Sequence, residues 1–401
     1  LAVLWMIQGH AFTALLRADA MPSAWARWHE RLHGLTAPAF MFGAGLAFGT
    51  ATYGEYRAHR RLRGPLLRRM RWYAALFVLG YLQQAPGWSP WNALHAQGAE
   101  LEVASRVGAL QLIALSLALC QLAILVLPRV RAHMLFSLTL AALSVLLASP
   151  LARAGAAAGG GVFVRAYLED RGGAHFQPLP WAAFVLFGVA TSGLLTRRPV
   201  RVRGLLLLGA GSVGAALAYA TFQAAARAPD PGWLWRTSVS YFLFRLFGVA
   251  LLLGALHLGI RTARAKSMSS LFARHSLVAY LVHIALLYGT PWTPALAQRF
   301  RHALSLGSAL WVTAALLAST IASVYGWAWL LRLRRAWFAP RLRPVRAMSQ
   351  HPTRSSISET PGDGVAPRSA GGSSHRGVRA RTLGVSVDTQ PQQRQITRQH
   401  P

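Results

Sequence analysis

The chain has 401 residues, of which 54% are hydrophobic and only 13% are charged, with a formal net charge of +31. Soluble domains carry about 25% charged residues, so this composition excludes an ordinary soluble protein. A basic excess in a soluble chain would suggest nucleic acid. Here the arginines lie in short clusters between apolar runs, an arrangement that sets membrane topology. We therefore expect membrane lipid, and no nucleic acid, as a partner.

Recurrent apolar runs predict an all-α, polytopic membrane protein with about ten transmembrane helices. The runs approach or exceed the length that crosses a hydrocarbon layer roughly 30 Å thick. They are continuous rather than alternating in polarity, which favours helices over a β-barrel. Since the first run has no basic flank ahead of it, we expect a truncated N-terminus. The predicted spans are 1–17, 36–53, 70–85, 107–127, 132–151, 181–196, 203–225, 238–260, 269–289 and 305–331.

Every second connection between these spans is strongly basic. The densest follows the second span and includes Arg57, Arg60 and Arg61. The positive-inside rule therefore places the basic connections, and both termini, in the cytoplasm. The spans form one transmembrane domain over residues 1–335. Residues 341–401 are rich in Ser, Gly, Pro, Gln and Arg without apolar periodicity, which predicts a disordered, basic cytoplasmic tail.

Polar side chains in and beside the spans supply the candidate site. Ionisable groups at membrane depth are costly and usually functional. With the predicted topology, several of them fall near the outer face although they come from separate spans. The candidate catalytic residues are His10, His33, Arg245 and His283. The candidate substrate-binding residues at the same end are His29, Gln83, Gln111 and Trp181.

Two other functions stay open on the residues alone. Intramembrane histidines relay protons in transporters and flippases. The string His29-Glu30-Arg31-Leu32-His33 is an H-E-x-x-H pattern, which is typical of zinc metalloproteases. Gly34 and Pro38 follow closely and leave little helix for that pattern, and no third ligand stands at the usual spacing. We therefore expect no metal. Each histidine could also serve only to hydrogen-bond a neighbouring helix.

Five segments, in their order along the chain, resemble the catalytic-domain family of heparan-α-glucosaminide N-acetyltransferase, in particular its bacterial relatives among the transmembrane acyltransferases. The resemblance extends over about residues 1–331. His10, His33 and His283 match histidines of the family's motifs. The segments are 8–10, 33–45, 110–114, 176–181 and 276–283.

The resemblance implies transfer of an acyl group, acetyl or a longer one with acetyl favoured, from cytoplasmic acyl-CoA to a sugar hydroxyl or amine at the outer face of a bacterial inner membrane. The donor is acetyl-CoA or another acyl-CoA, and the acceptor is a glycan or lipid-linked sugar. Histidine suits this chemistry because its pKa lies near neutrality. We expect His10 or His33 as general base, with His283 and Arg245 polarising the acyl carbonyl or orienting the acceptor.

The phosphates of coenzyme A need a basic site on the cytoplasmic side. Arg57, Arg60 and Arg61 lie in the densest basic connection and are the candidate donor-binding residues. The same arginines could act only as a topology signal. The identity of the acceptor, an acyl-enzyme intermediate and the oligomeric state stay open.

Overall fold

The computed structural model describes residues 2–61, 64–158, 161–162, 166–167, 176–195, 197–225, 238–260, 262–292 and 294–338. The predicted tail at 341–401 lies outside the described residues, so its disorder stays a prediction. The described helices fall within one unit, Leu1–Ala339.

The described residues form sixteen α-helices. In chain order they are α1 (Ala2–Leu15), α2 (Ser23–His33), α3 (Thr36–Tyr53), α4 (Tyr56–His59), α5 (Pro65–Gln84), α6 (Pro90–His95), α7 (Gly98–Ser105), α8 (Ala109–Val126), α9 (Val130–Ala158), α10 (Pro178–Leu195), α11 (Val200–Ala225), α12 (Val239–Gly259), α13 (Ala263–Arg274), α14 (Ser276–Tyr288), α15 (Leu296–Arg299) and α16 (Leu306–Phe338).

The all-α membrane class is confirmed, whereas the count of about ten spans is not. Within the described residues, seven helices are long and apolar enough to cross a membrane, or eight if one bent pair counts as a span. That pair comprises α13 and α14, which meet at an angle of 72° beside His275. Helix α1 has only 14 residues, and α5 begins with arginines at 68, 69 and 71. All ten predicted segments are nevertheless helical at their centres.

Two hydrophobic cores organise the bundle. The larger contains Met41 of α3 and Phe184 of α10, with contributions from α5, α8 and α9. The smaller contains Ile7 of α1 together with Ala279 of α14 and Leu316 of α16. Helix α1 contacts α3 as well as α14 and α16, so it lies between the two cores. A polar residue on α1 can therefore meet residues from both halves of the chain.

The outward surfaces of the bundle are apolar. Leu135 and Leu146 of α9 and Leu205 of α11 are each more than 60% exposed. Large apolar side chains in contiguous exposure are disfavoured in water and fit a lipid environment. Trp25 and Trp292, in the predicted outer connections, are also exposed, as expected of residues at a membrane interface. The chain is an integral membrane protein.

The candidate catalytic residues lie at the same end of this bundle. His10 is five residues before the end of α1, and His283 is five before the end of α14. Arg245 is six residues after the start of α12, a helix that contacts α3. At 1.5 Å per residue, each lies within about 10 Å of its helix end. The structure thus brings residues of separate helices together at one end of the bundle, while their depth in the membrane stays a prediction.

Candidate active site

His10 and His283 form the centre of the site. Nδ1 of His10 lies 3.2 Å from Nε2 of His283, and the two rings are stacked with centroids 5.4 Å apart. The His283 side chain is fully buried. The contact joins residues 273 positions apart in the chain. It exists because α1 packs against α14 in the smaller core.

The hydrogen bonds of this pair determine which nitrogens carry protons when both rings are neutral. Nδ1 of His283 lies 2.8 Å from the carbonyl oxygen of Ala279, which can only accept, so this nitrogen donates. Nε2 of His283 is then the accepting nitrogen and takes a hydrogen bond from Nδ1 of His10. His10 is left with its lone pair on Nε2, the nitrogen on the far side of the ring from His283. A lone pair of this kind is what a general base needs.

His33 completes a cluster of three imidazoles. Its ring centroid is 5.8 Å from that of His10, with the rings edge to face. Its buried Nε2 has no hydrogen-bond partner among the described residues. An unpaired buried nitrogen is costly, because it loses its hydrogen bonds to water without replacement. Nε2 of His33 packs against Gly9 of α1, next to His10.

Gly9 of α1 makes the position of His33 possible. A Cβ atom at residue 9 would overlap the imidazole of His33, at Cδ2 and Nε2. Only glycine lets the ring lie directly on the helix backbone. In the Gln8-Gly9-His10 sequence, the glycine thus leaves room for the His33 ring directly beside His10.

Arg245 is held by aromatic rings and a backbone carbonyl. Its guanidinium carbon lies 4.2 Å from the ring centroid of Tyr241 and 5.6 Å from that of Trp181. Nη1 donates a hydrogen bond to the carbonyl oxygen of Gly34, the residue after His33. Arg245 therefore fixes the junction of α2 and α3 beside the histidine cluster and places a positive charge there.

The H-E-x-x-H string lies on helix after all, because Gly34 has αR backbone angles (φ −57°, ψ −12°) and does not break the chain's helical path. The expectation of too little helix was wrong. The His29 and His33 rings are parallel with centroids 5.9 Å apart. Nε2 of His29 accepts a hydrogen bond of 2.8 Å from the Gln8 amide. The described residues contain no group of three His, Cys, Asp or Glu side chains placed to hold a metal ion.

Comparison with known families gives one match. The family model described as heparan-alpha-glucosaminide N-acetyltransferase, catalytic, matches residues 1–223, which is more than half of the chain. The chain belongs to this family. No curated protein and no solved structure matches it in the corresponding comparisons. The membership identifies a membrane protein of a transferase family, and it confirms the resemblance inferred from the sequence motifs.

The residues of the candidate site come from both sides of residue 223, where the family match ends. His10, His29 and His33 lie inside the segment that matches the acetyltransferase family, whereas Arg245 and His283 lie beyond residue 223. The structure joins the two parts, since the His10–His283 contact crosses that boundary. The remainder of the chain is thus part of the same site and not an independent appendage.

The predicted substrate-binding residues fall into different surroundings. The Gln83 amide lies within hydrogen-bonding reach of the Tyr280 hydroxyl, and the Tyr280 ring lies 5.5 Å from His283. Gln83 therefore adjoins the histidine cluster. Gln111 is buried; its Oε1 accepts a hydrogen bond from the Gly108 N–H, and its Nε2 donates one to Oε1 of the Gln84 side chain. Trp181 is buried beneath Arg245.

Arg57, Arg60 and Arg61 are exposed at the opposite end of α3. Since α3 has 18 residues, about 25 Å separates its two ends. Sequence reasoning missed a second polar cluster at that end. Arg69, which could be recognised only as one of many basic topology signals, donates to Thr52 at 2.6 Å and to Gln121 at 3.3 Å.

Proposed function

We propose that this chain is a membrane-embedded acetyltransferase that moves an acetyl group from acetyl-CoA to a sugar hydroxyl or amine at the outer face. The His10–His283 pair, in which His283 is fully buried, carries the proposal. The pair gives His10 a fixed ring orientation and a lone pair on Nε2, next to a second histidine with an unpaired nitrogen. Membership of an acetyltransferase family supports acetyl as the group transferred.

His10 acts as the general base in the proposed reaction. The acceptor's O–H or N–H proton passes to Nε2 of His10 while the acceptor oxygen or nitrogen bonds to the thioester carbonyl carbon. The resulting oxyanion re-forms the carbonyl, the C–S bond breaks, and the thiolate takes the proton back from His10. Coenzyme A leaves as the thiol, so the histidine ends the cycle neutral. Such proton transfer contributes roughly 10²- to 10⁴-fold to a rate.

His283, His33 and Arg245 support this step in different ways. His283 is a positioning residue, because its bond to the Ala279 carbonyl fixes the tautomer and, through it, the His10 ring. His33 packs edge to face against His10 and helps to hold that ring in place. Arg245 adds positive charge beside Gly34, which stabilises the tetrahedral intermediate electrostatically.

The donor's phosphates are proposed to bind at the basic end, where Arg57, Arg60 and Arg61 are exposed. Positive-inside logic supports a cytoplasmic location for that end and an outer location for the histidines. The thioester would then reach the histidine cluster through the bundle, because α3 separates the two ends by about 25 Å.

A binding and transfer experiment tests the proposal. The full chain, in phosphatidylcholine nanodiscs, is titrated with acetyl-CoA by calorimetry and then assayed for transfer of [¹⁴C]acetyl to glucosamine. We expect saturable binding, transfer by the wild type, loss of transfer in His10→Asn, and full transfer in His95→Asn. His95 is a suitable control because it is exposed and bonds only locally, to Trp91. Absence of acetyl-CoA binding by monodisperse protein, or equal transfer by His10→Asn, contradicts it.

One observation favours a transporter as the second candidate. The pair α13 and α14 is bent by 72°, and α14 carries His283. Interrupted helices form the substrate sites of many secondary transporters. Proton-coupled uptake of a solute into liposomes that contain the protein, without consumption of acetyl-CoA, would support this alternative. Stoichiometric release of coenzyme A thiol with product formation supports the transferase.

A further inference from the structure

A cavity of about 570 Å³ opens beside the histidine cluster, at the ends of α1 and α14. Ligand pockets commonly have volumes of about 300–1,000 Å³, so it is large enough for a small molecule. The side chains that matter for its chemistry are those of Thr13, Tyr288, Gln298, Arg301 and His302. None of these is a residue that the sequence motifs single out.

The cavity adjoins the proposed base directly. Thr13 and Ala14 line it and follow His10 by three and four positions in α1. Residues with this spacing share a helix face, about one turn apart. Tyr288 lines the cavity and also lies edge to face with His10, with ring centroids 6.3 Å apart. A ligand in the cavity therefore lies one helical turn from His10.

The wall that carries Arg301 and His302 is held in place by backbone hydrogen bonds. The N–H of His302 donates to the Ala14 carbonyl at 3.2 Å, and the N–H of Leu304 donates to the Leu15 carbonyl at 3.0 Å. His302 has a φ of 50°, an uncommon conformation for a residue with a side chain. Because α1 and this loop are joined by main-chain bonds, the cavity is formed before any ligand arrives.

The lining combines an apolar wall with several hydrogen-bond donors and one positive charge. Arg301 supplies a guanidinium, and Gln298 and Thr13 supply groups that bond hydroxyls. Nδ1 of His302 lies 3.4 Å from the Leu16 carbonyl, which in the neutral ring leaves Nε2 to accept from a hydroxyl. The described residues that line the cavity include no carboxylate. This combination matches a polyhydroxylated molecule with an anionic group.

We propose that this cavity is the acceptor subsite and that Arg301 selects sugars carrying an anionic group, such as a phosphate or carboxylate. The inference rests on the proposed acetyltransferase function and names its acceptor class. Gln298, Arg301 and His302 all lie beyond residue 223, the end of the family match. The charged residue proposed to select the acceptor therefore lies in the C-terminal half of the chain, outside the matched segment.

Two matched acceptors and two matched variants test the subsite. In phosphatidylcholine nanodiscs, KM is measured for glucosamine and for glucosamine 6-phosphate in the wild type, Arg301→Gln and Arg299→Gln. Arg299 is a fair control because it lies two residues away and its guanidinium packs over Phe300. We expect a lower wild-type KM for the phosphorylated sugar. Arg301→Gln should raise that KM about tenfold, the scale of one charge-assisted hydrogen bond, and change the glucosamine KM less than twofold.

Further measurements distinguish a phosphorylated sugar from a lipid headgroup as the ligand of Arg301. They also distinguish failure of the subsite from failure of the proposed transferase function. Equal KM values for both sugars, or an Arg301→Gln effect on acetyl-CoA instead, overturn the subsite while leaving the transferase intact. Competition by phosphatidylglycerol added to the nanodiscs would assign Arg301 to lipid and also overturn it. Calorimetry with glucosamine 6-phosphate and no donor is the independent readout. Binding that requires Arg301 but leads to no acetyl transfer supports the subsite and refutes the proposed function.

Discussion

Substitution of Gly9 by alanine tests the packing of the histidine cluster. The new methyl group would overlap the His33 ring, so the ring must move away from α1 and from His10. Overpacking of this kind costs about 1–3 kcal/mol. Replacing glycine by alanine in a helix also adds about 1 kcal/mol of helix propensity, which partly offsets that cost.

Gly43→Ala isolates the steric effect. Gly43 also lies within a helix, α3, but a Cβ atom there would meet nothing within 4 Å. The propensity gain is common to both variants, so their free energies of unfolding in mixed micelles should differ by about 1–3 kcal/mol, with Gly9→Ala the less stable. Misplacement of a catalytic group by about 1 Å can lower a rate 100-fold. We therefore expect Gly9→Ala to lose acetyl transfer about 100-fold and Gly43→Ala to retain it. Equal stability and equal activity of the two variants would show that the His33 ring does not pack on Gly9.

Two further predictions concern charges at opposite ends of the bundle. Arg245→Lys keeps the charge but loses the planar contact with two aromatic rings, and it should lower the transfer rate about tenfold; an unchanged rate would show that charge alone suffices. Burial, and next the charge of Arg69, lower the pKa of His59 below its ordinary value of 6.5. Below pH 6.5 the unfolded chain therefore protonates this histidine more readily than the folded protein does. The stability that the neutral His59 ring contributes above pH 6.5 is lost as the pH falls through the lowered pKa. His59→Gln should show a flatter fall in unfolding temperature between about pH 7.5 and 5 than the wild type or His95→Gln, and parallel curves would contradict this.

The helices, and the polar residues that meet at one end of the bundle, were predictable because apolar runs and their polar exceptions are visible in the sequence itself. The run at 36–53 coincides with α3, and His10 and His283 stand out as ionisable groups among apolar neighbours. The positive-inside rule then predicted that both residues lie at the same end of the bundle. The number of spans was less accessible, since the bend at His275 and the arginines that begin α5 depend on packing and not on hydropathy alone.

Contacts made by glycine and by loops could not be predicted. Gly9 carries no side chain, so nothing in its identity indicates that His33 packs on it. Gly34 and Pro38 indicated a break in the helix, yet Gly34 takes helical angles because Leu35 and the α3 start continue the turn. Arg301 lies in an irregular surface segment without periodicity, where an arginine has no pattern to distinguish it from a solvated one.

The central claim is that His10 and His283 act as one unit, the second histidine orienting the first. A double-mutant cycle on the release of coenzyme A thiol from acetyl-CoA, in the presence of acceptor, tests it most directly. We predict that His10→Asn and His283→Asn each lower the rate about 100-fold or more, and that the double variant is little slower than the slower single variant. Losses that multiply, or a His10→Asn protein as active as the wild type, would contradict the account.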